Sequence, residues 1–246
     1  TTWPVGQDVE TGWSLRVESL ETYRDLDQRQ DVATTLTFLG YVAQSIGGFA
    51  EAEAYLLESL ATHRELDDGW GAAMAMQGLG MIGLRTGDYE RSTDWLRQSV
   101  AGFTERADVR SMAASRATLG AARLRHGDLA EASELFRESL RSRFQIGDKG
   151  GIAWCLEWMA EAALATRAPP HAPAHAAHLL GAASALRVAL ASPIDPVDQP
   201  EYERLLATVQ AELSDPAFVA AWEAGRAMTV EDVVALALDP DRDATD

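Results

Sequence analysis

Leu39-Gly40-Tyr41-Val42-Ala43-Gln44-Ser45-Ile46-Gly47-Gly48-Phe49 decides the fold, because its outline returns. Leu79-Gly80 is followed by Gly87-Asp88-Tyr89, and Leu119-Gly120 by Gly127-Asp128-Leu129, each return 40 residues after the last. Other columns keep the same step: Ser59, Ser99 and Ser139; Leu60, Val100 and Leu140; Asp68, Asp108 and Asp148. A fixed period of this size marks a repeat architecture, in which one supersecondary unit is copied and stacked.

Outward from that stretch, apolar residues fall at three- and four-residue steps, so each repeat is a pair of helices. The first pair is expected over 30–46 and 49–66, the second over 69–86 and 89–106, and the third over 109–126 and 129–146. A fourth first-helix is expected over 149–166. Gly47-Gly48, Gly87-Asp88 and Gly127-Asp128 divide each pair, since Gly ends a helix in a left-handed conformation at little cost. Residues 8–26 read as a further helix, with Trp13, Val17, Leu20 and Tyr23 or Arg24 on one side. By column this is a second helix without its partner. Together with the opening Thr1-Thr2-Trp3-Pro4, it reads as a piece cut from a longer polypeptide. Each hairpin is unable to bury its apolar face alone, and stacking makes the core continuous.

The expected architecture is therefore all-α. It is a right-handed superhelical solenoid of antiparallel helix hairpins over 1–166, capping helices over 167–238, and a polar, disordered tail over 239–246. The Leu of each Leu-Gly pair is expected between the helices of its hairpin. The Gly is expected where their backbones come closest, with Ala52, Ser92 and Ala132 keeping the facing helix small. A mid-helix Gly costs roughly 1 kcal/mol against Ala, so its return calls for a packing gain. In the fourth hairpin Ala160 stands in the Gly column, and the residue pattern begins to decay.

These columns (Leu-Gly, then Gly-Asp-aromatic, then a small residue, then Leu56, Leu96 or Phe136) resemble the tetratricopeptide repeat. The usual period there is about 34 residues, so each helix here is nearly a turn longer. Long repeats of this kind are familiar from bacterial signalling ATPases and from kinesin light chains.

Beyond 166 the pattern changes. Pro169, Pro170 and Pro173 break any helix. A fresh helix is expected over 174–191, with Leu179, Leu180, Ala183, Leu186 and Leu190 on one face. Pro193, Pro196 and Pro200 mark a loop before shorter helices over 199–213, 215–226 and 230–238. Asp215 is expected to cap the second of these, with Pro216 at its first position, and Thr229 the third.

This region carries a second resemblance. Its residues are His178-Leu179-Leu180-Gly181-Ala182-Ala183-Ser184-Ala185-Leu186-Arg187, Glu201-Tyr202-Glu203-Arg204, the run from Phe218 to Met228, and Val233 to Leu238. They are similar to segments of the large STAND-class signal-transduction ATPases of bacteria, which include LuxR-type transcriptional regulators. In that family a nucleotide-binding domain precedes the helical repeats and a DNA-binding helix-turn-helix often follows. The resemblance implies a sensor and protein-interaction region of a multidomain regulator; nothing in the sequence argues for export, so a cytoplasmic place is expected. Neither the catalytic nor the DNA-reading part is in this sequence. There is no Gly-x-x-x-x-Gly-Lys-Ser/Thr loop, and Gly147-Asp148-Lys149-Gly150-Gly151 has the wrong spacing and falls at an inter-repeat turn.

The remaining chemistry is sparse. Acidic residues outnumber basic ones 38 to 21, a net charge of −17, and no basic stripe is visible, which argues against direct nucleic-acid binding. No apolar run approaches the ~20 residues of a membrane-spanning helix. The lone cysteine, Cys155, lies beside Trp154, Leu156 and Trp158 and reads as a packed thiol. His171, His175 and His178 have metal-like spacing, but no local carboxylate or Cys joins them. We expect no catalytic residue, no metal and no cofactor.

A binding groove is the candidate site. With Leu39, Leu79 and Leu119 facing the partner helix, the period assigns the concave face of each first helix. Repeat one gives Thr34, Thr37, Phe38 and Tyr41; repeat two gives Met74, Gln77, Met81 and Arg85. Repeat three gives Ala114, Thr118, Ala121 and Arg125, and the fourth first-helix Trp154, Glu157, Trp158 and Glu161. Aromatics at both ends with flexible Met between them suit a peptide or amphipathic helix, from a protein partner or from another domain of the same regulator. Two other readings stand beside this one. The groove binds a small-molecule effector, or the unpaired first helix makes a homodimer. A packing role is also open: the aromatics fill space between hairpins, or against the 174–238 segment.

Overall fold

The computed structural model describes residues 7–168 and 171–239, with side chains from Trp13 onward. The opening Thr1-Thr2-Trp3-Pro4, the break at Pro169-Pro170 and the tail over 240–246 lie outside the described residues. Among those described there are twelve helices and no strand. They are α1 (Gln7–Asp25), α2 (Arg29–Ser45), α3 (Phe49–Glu65), α4 (Gly69–Thr86), α5 (Tyr89–Glu105), α6 (Val109–His126), α7 (Leu129–Gln145), α8 (Lys149–Thr166), α9 (Ala172–Leu190), α10 (Gln199–Ala211), α11 (Asp215–Ala227) and α12 (Val230–Leu238). The boundaries fall within two residues of those read from the sequence, and the fold is an all-α helical repeat.

The turns show why the repeat is so regular. Left-handed residues recur every 20 positions: Asp27, Gly47, Asp67, Gly87, Ala107, Gly127, Gly147 and Arg167. The backbone thus repeats once per helix, twice as often as the residue pattern. Only some of these positions are Gly, and an L-residue tolerates the conformation singly at some cost. Arg167 extends the column of Gly47, Gly87 and Gly127, and α9 packs along α8 as the second helix of a fourth hairpin. The backbone regularity therefore outlasts the Leu-Gly pattern. It slips at Ala191, the next left-handed residue, four positions late.

The Asp column caps the first helices. Asp68 accepts from Gly71 N–H at 3.0 Å, Asp108 from Ser111 N–H at 3.1 Å, and Asp148 from Gly151 N–H at 3.2 Å. Each satisfies one amide that the helix start would leave bare, worth about 1 kcal/mol. The Ser column stitches hairpins from inside. Ser59 Oγ donates to Ala33 O at 2.8 Å, and Ser99 Oγ to Ala73 O at 2.9 Å. All three serines are fully buried, and each meets the rule that a buried hydroxyl needs a partner: Ser139 Oγ accepts from Arg143 Nε at 3.1 Å.

The glycines correct one expectation. A Cβ on Gly40 would stand 2.5 Å from Leu56 Cγ, on Gly80 2.4 Å from Leu96 Cγ, and on Gly120 2.8 Å from Phe136 Cε1. Gly therefore makes room for a large side chain from the second helix, and the nearest atoms are not backbone. Close backbone approach occurs instead between α9 and α11. There a Cβ on Gly181 would meet Trp222 O at 2.3 Å, and one on Gly225 would meet His178 O at 2.1 Å. A second correction is the start of α11. Ser214, in extended conformation, is the N-cap residue, Asp215 is already helical, and Pro216 follows it. Thr229 caps α12 as expected, accepting from Asp232 N–H at 3.1 Å.

The chain divides into two compact units, residues 1–119 and 120–246, with the boundary inside α6. In the first, Leu36, Leu39, Leu56, Leu96 and Phe103 are fully buried. In the second, Phe136, Leu140, Ile152, Leu156, Leu179 and Leu180 form the equivalent interior. There α12 packs on α7, α8 and α9 and buries Val233, Val234, Leu236 and Ala237.

Candidate binding faces

In the first unit the first-helix residues separate by depth. Phe38 is 47% exposed, with the Arg16 guanidinium 5.1 Å from its ring centroid. Thr34, Met74, Met81 and Arg85 are half-buried. Tyr41 lies at the junction of α2 and α4, where its hydroxyl donates to Met74 O at 2.9 Å and meets Gln77 Oε1 at 3.0 Å. Burial pushes the Tyr41 phenol well above its ordinary range, so it stays a donor. Thr37 and Gln77 are buried behind this row. Thr37 shares a 2.6 Å hydrogen bond with Ser59 between α2 and α3. Thr118 is buried too, with its hydroxyl on Ala114 O at 3.1 Å. The structure thus brings Arg16 to Phe38 and Tyr41 to Met74, and leaves Met74, Met81 and Arg85 half-buried along α4. Arg16 was missed in sequence because α1 is by column a second helix, and the face was read from first helices alone.

In the second unit the chosen residues converge on one cluster. Arg125 pairs with Glu161 on one side and with Glu201 of α10 on the other. Its guanidinium lies 5.0 Å from the Trp158 ring centroid, a cation–π distance. Trp158 stacks on Phe136 at 6.3 Å and meets Trp154 at 5.6 Å. Glu157 receives a two-pronged contact from Arg187 of α9, at 2.5 and 2.7 Å. Burial pushes the Glu161 carboxyl up, against the pull of Arg125. Tyr202 of α10 is pushed up to about 12, by burial first and then by the negative charge of Glu157. Ala121 is buried. The first turn of α10 therefore reaches Arg125 of α6 and lies within electrostatic reach of Glu157 of α8. Arg187, Glu201 and Tyr202 were not assigned to the face in sequence. They sit in the stretches quoted for the second resemblance, and no periodicity links them to α8.

The other candidates are quiet. Cys155 is fully buried with its sulfur 3.4 Å from Ser139 Oγ, and burial pushes the thiol up, away from the reactive thiolate. The rings of His171 and His175 meet edge-on at 6.4 Å, and no described group of three or more His, Cys, Asp or Glu is placed to hold a metal. No described helix is long and apolar enough to cross a membrane.

These repeats are tetratricopeptide-like: residues 31–105 match the tetratricopeptide repeat family. Two solved structures share the fold. One is BtubC (BKLC) from P. vanneervenii, at TM-score 0.58 and 15% identity over 97% of this chain and 92% of that one. The other is a Podosopora anserina kinesin light chain protein with nearly identical TPR-like repeats, at TM-score 0.56 and 16% identity over 76% and 90%. No curated protein matches the sequence significantly. Tetratricopeptide repeats generally mediate protein–protein interaction, and the fold is generally non-catalytic.

Proposed function

We propose that this chain is a non-catalytic protein-interaction module, and that the first-helix faces of its hairpins bind a peptide or protein partner. The observation that carries the reading is the row Phe38, Met74, Met81 and Arg85, which stays half-open at the surface of the first unit while its neighbours are buried. Apolar and adaptable side chains edged by a cation suit an amphipathic helix with acidic residues on its flank. The repeats to 166 supply the faces, and the segment 167–238 closes the end of the array. The wording of that segment supports a place in a cytoplasmic, STAND-class bacterial regulator, whose other domains are candidate partners.

Selection of helical peptides on the whole chain tests the reading. Phe38→Ala and Met81→Ala are expected to weaken the selected peptides by about tenfold or more with melting unchanged. Peptides that bind both variants as tightly as the parent would show that the face is elsewhere.

A further inference from the structure

α10 differs from its neighbours in how it is held. It buries one side chain, Val209; α11 buries Ala221 and Gly225 but lies backbone-to-backbone on α9, where a Cβ on Gly225 would meet His178 O at 2.1 Å, and the shorter α12 buries four side chains. Tyr202, Leu205 and Leu206 sit half-buried on the same side. Its two ends are tied by ion pairs, Arg125 to Glu201 and Arg167 to Glu212. Glu201 is 44% exposed and Arg167 67% exposed, so both pairs are of the kind that holds weakly and fades in salt. Pro193 and Pro196 lead into it, Pro200 stands in its first turn, and Ser214 in extended conformation leads out. Few buried contacts between two loops describe a segment that opens on its own.

Beneath its first turn lies a face whose own contacts do not involve α10. Trp158 is stacked on Phe136, Arg125 is braced by Glu161 and Trp158, and Glu157 is gripped by Arg187. The charges are complementary: Arg125 takes the Glu201 carboxylate, and Tyr202 lies close enough to Glu157 and Arg187 to feel both.

We propose that α10 is an internal ligand of the Arg125–Trp158 face, and that the face exchanges it for a partner helix of the same chemistry. That partner carries an acidic residue followed by an aromatic in its first turn, with apolar residues three and four positions on. This rests on the reading of first-helix faces as binding surfaces. A tethered helix competes at an effective concentration of about millimolar, so the closed chain rejects weak helices and admits only a good match.

The test uses the whole chain and a synthetic peptide of residues 198–213. Amide exchange in α10 is expected to run about tenfold or more faster than in α9 and α11, and faster still at high salt. The variant Glu201→Lys/Tyr202→Ala, checked for an unchanged melt, is expected to bind the peptide about tenfold or more tighter than the parent chain does. The same peptide carrying Glu201→Lys is expected not to bind. The proposal is overturned if α10 exchanges as slowly as α9 and α11, or if the peptide binds both proteins equally or neither. Should the double variant not fold, exchange in the native chain decides alone. The peptide selection on Phe38 and Met81 concerns the first unit, so failure here and failure there are separate results.

Discussion

Gly80 lies beneath the side chain of Leu96, so closely that a Cβ on the glycine would stand 2.4 Å from Leu96 Cγ. Leu96 is fully buried and has no free side to retreat to. Gly80→Ala should therefore destabilise by about 1–3 kcal/mol through overpacking, even though Ala is the better helix former. Leu96→Ala should cost about 2–5 kcal/mol through its cavity. The pair should be strongly non-additive, because the second change removes the atoms that the first collides with. Denaturant melts of the four proteins complete the cycle, and simple additivity would contradict the contact.

Gln44 is buried to 1% exposure, and neither its amide nitrogen nor its oxygen has a hydrogen-bond partner among the described residues. The same column holds Leu84, Leu124 and Leu164. An unsatisfied buried amide costs roughly 1–3 kcal/mol, so Gln44→Leu should raise stability by about that amount. A melt at lower temperature than the parent would overturn the prediction.

His63 is 2% exposed, with Nδ1 2.9 Å from Asp68 Oδ2 at the turn between α3 and α4. Burial pulls its pKa below 6.5, and Asp68 only partly restores it. The folded chain thus binds that proton less readily than the unfolded chain. Stability from this group is present above about pH 6.5 and drains as pH falls through the folded pKa, at no more than about 1.4 kcal/mol per pH unit. Phe103 occupies the next position in the column and Arg143 the one after. His63→Phe should flatten the stability profile between about pH 7 and pH 5. An unchanged profile would place the pH dependence elsewhere.

The column of 63, 103 and 143 also shows how far one sequence period reaches. Arg143 pairs with Asp148 at 2.8 Å, as His63 does with Asp68. Phe103 makes no such bond, and Asp108 accepts from Trp70 Nε1 at 2.9 Å instead. The Asp is fixed by its cap role, which is local to one helix start. Its second partner is whatever the packing beside it supplies.

That distinction runs through the molecule. Helix ends, Asp caps, glycine turns and the Leu-Gly columns depend on residues a few positions apart, or one repeat apart. The helix ends, the turns and the columns are legible in the chain, whereas the capping role of Asp68, Asp108 and Asp148 is not. The backbone step of 20 residues was hidden, because Asp67, Ala107 and Arg167 take the left-handed conformation without looking like glycines. The role of the Leu-Gly glycine also needed coordinates, since only packing tells a side-chain intruder from a backbone one.

The sequence by itself determined an all-α repeat and its period; the first-helix row read from that period holds surface residues such as Phe38 and Met81 together with buried ones such as Thr37, Gln77, Thr118 and Ala121. The tertiary structure alone decided that α9 completes a fourth hairpin, and that Glu201 and Tyr202 come to rest on Arg125 and Glu157. The physical reason is range. Repeats are written in local propensity and nearest-neighbour burial, whereas the seat of α10 is set by ion pairs and half-buried contacts between residues with no shared period.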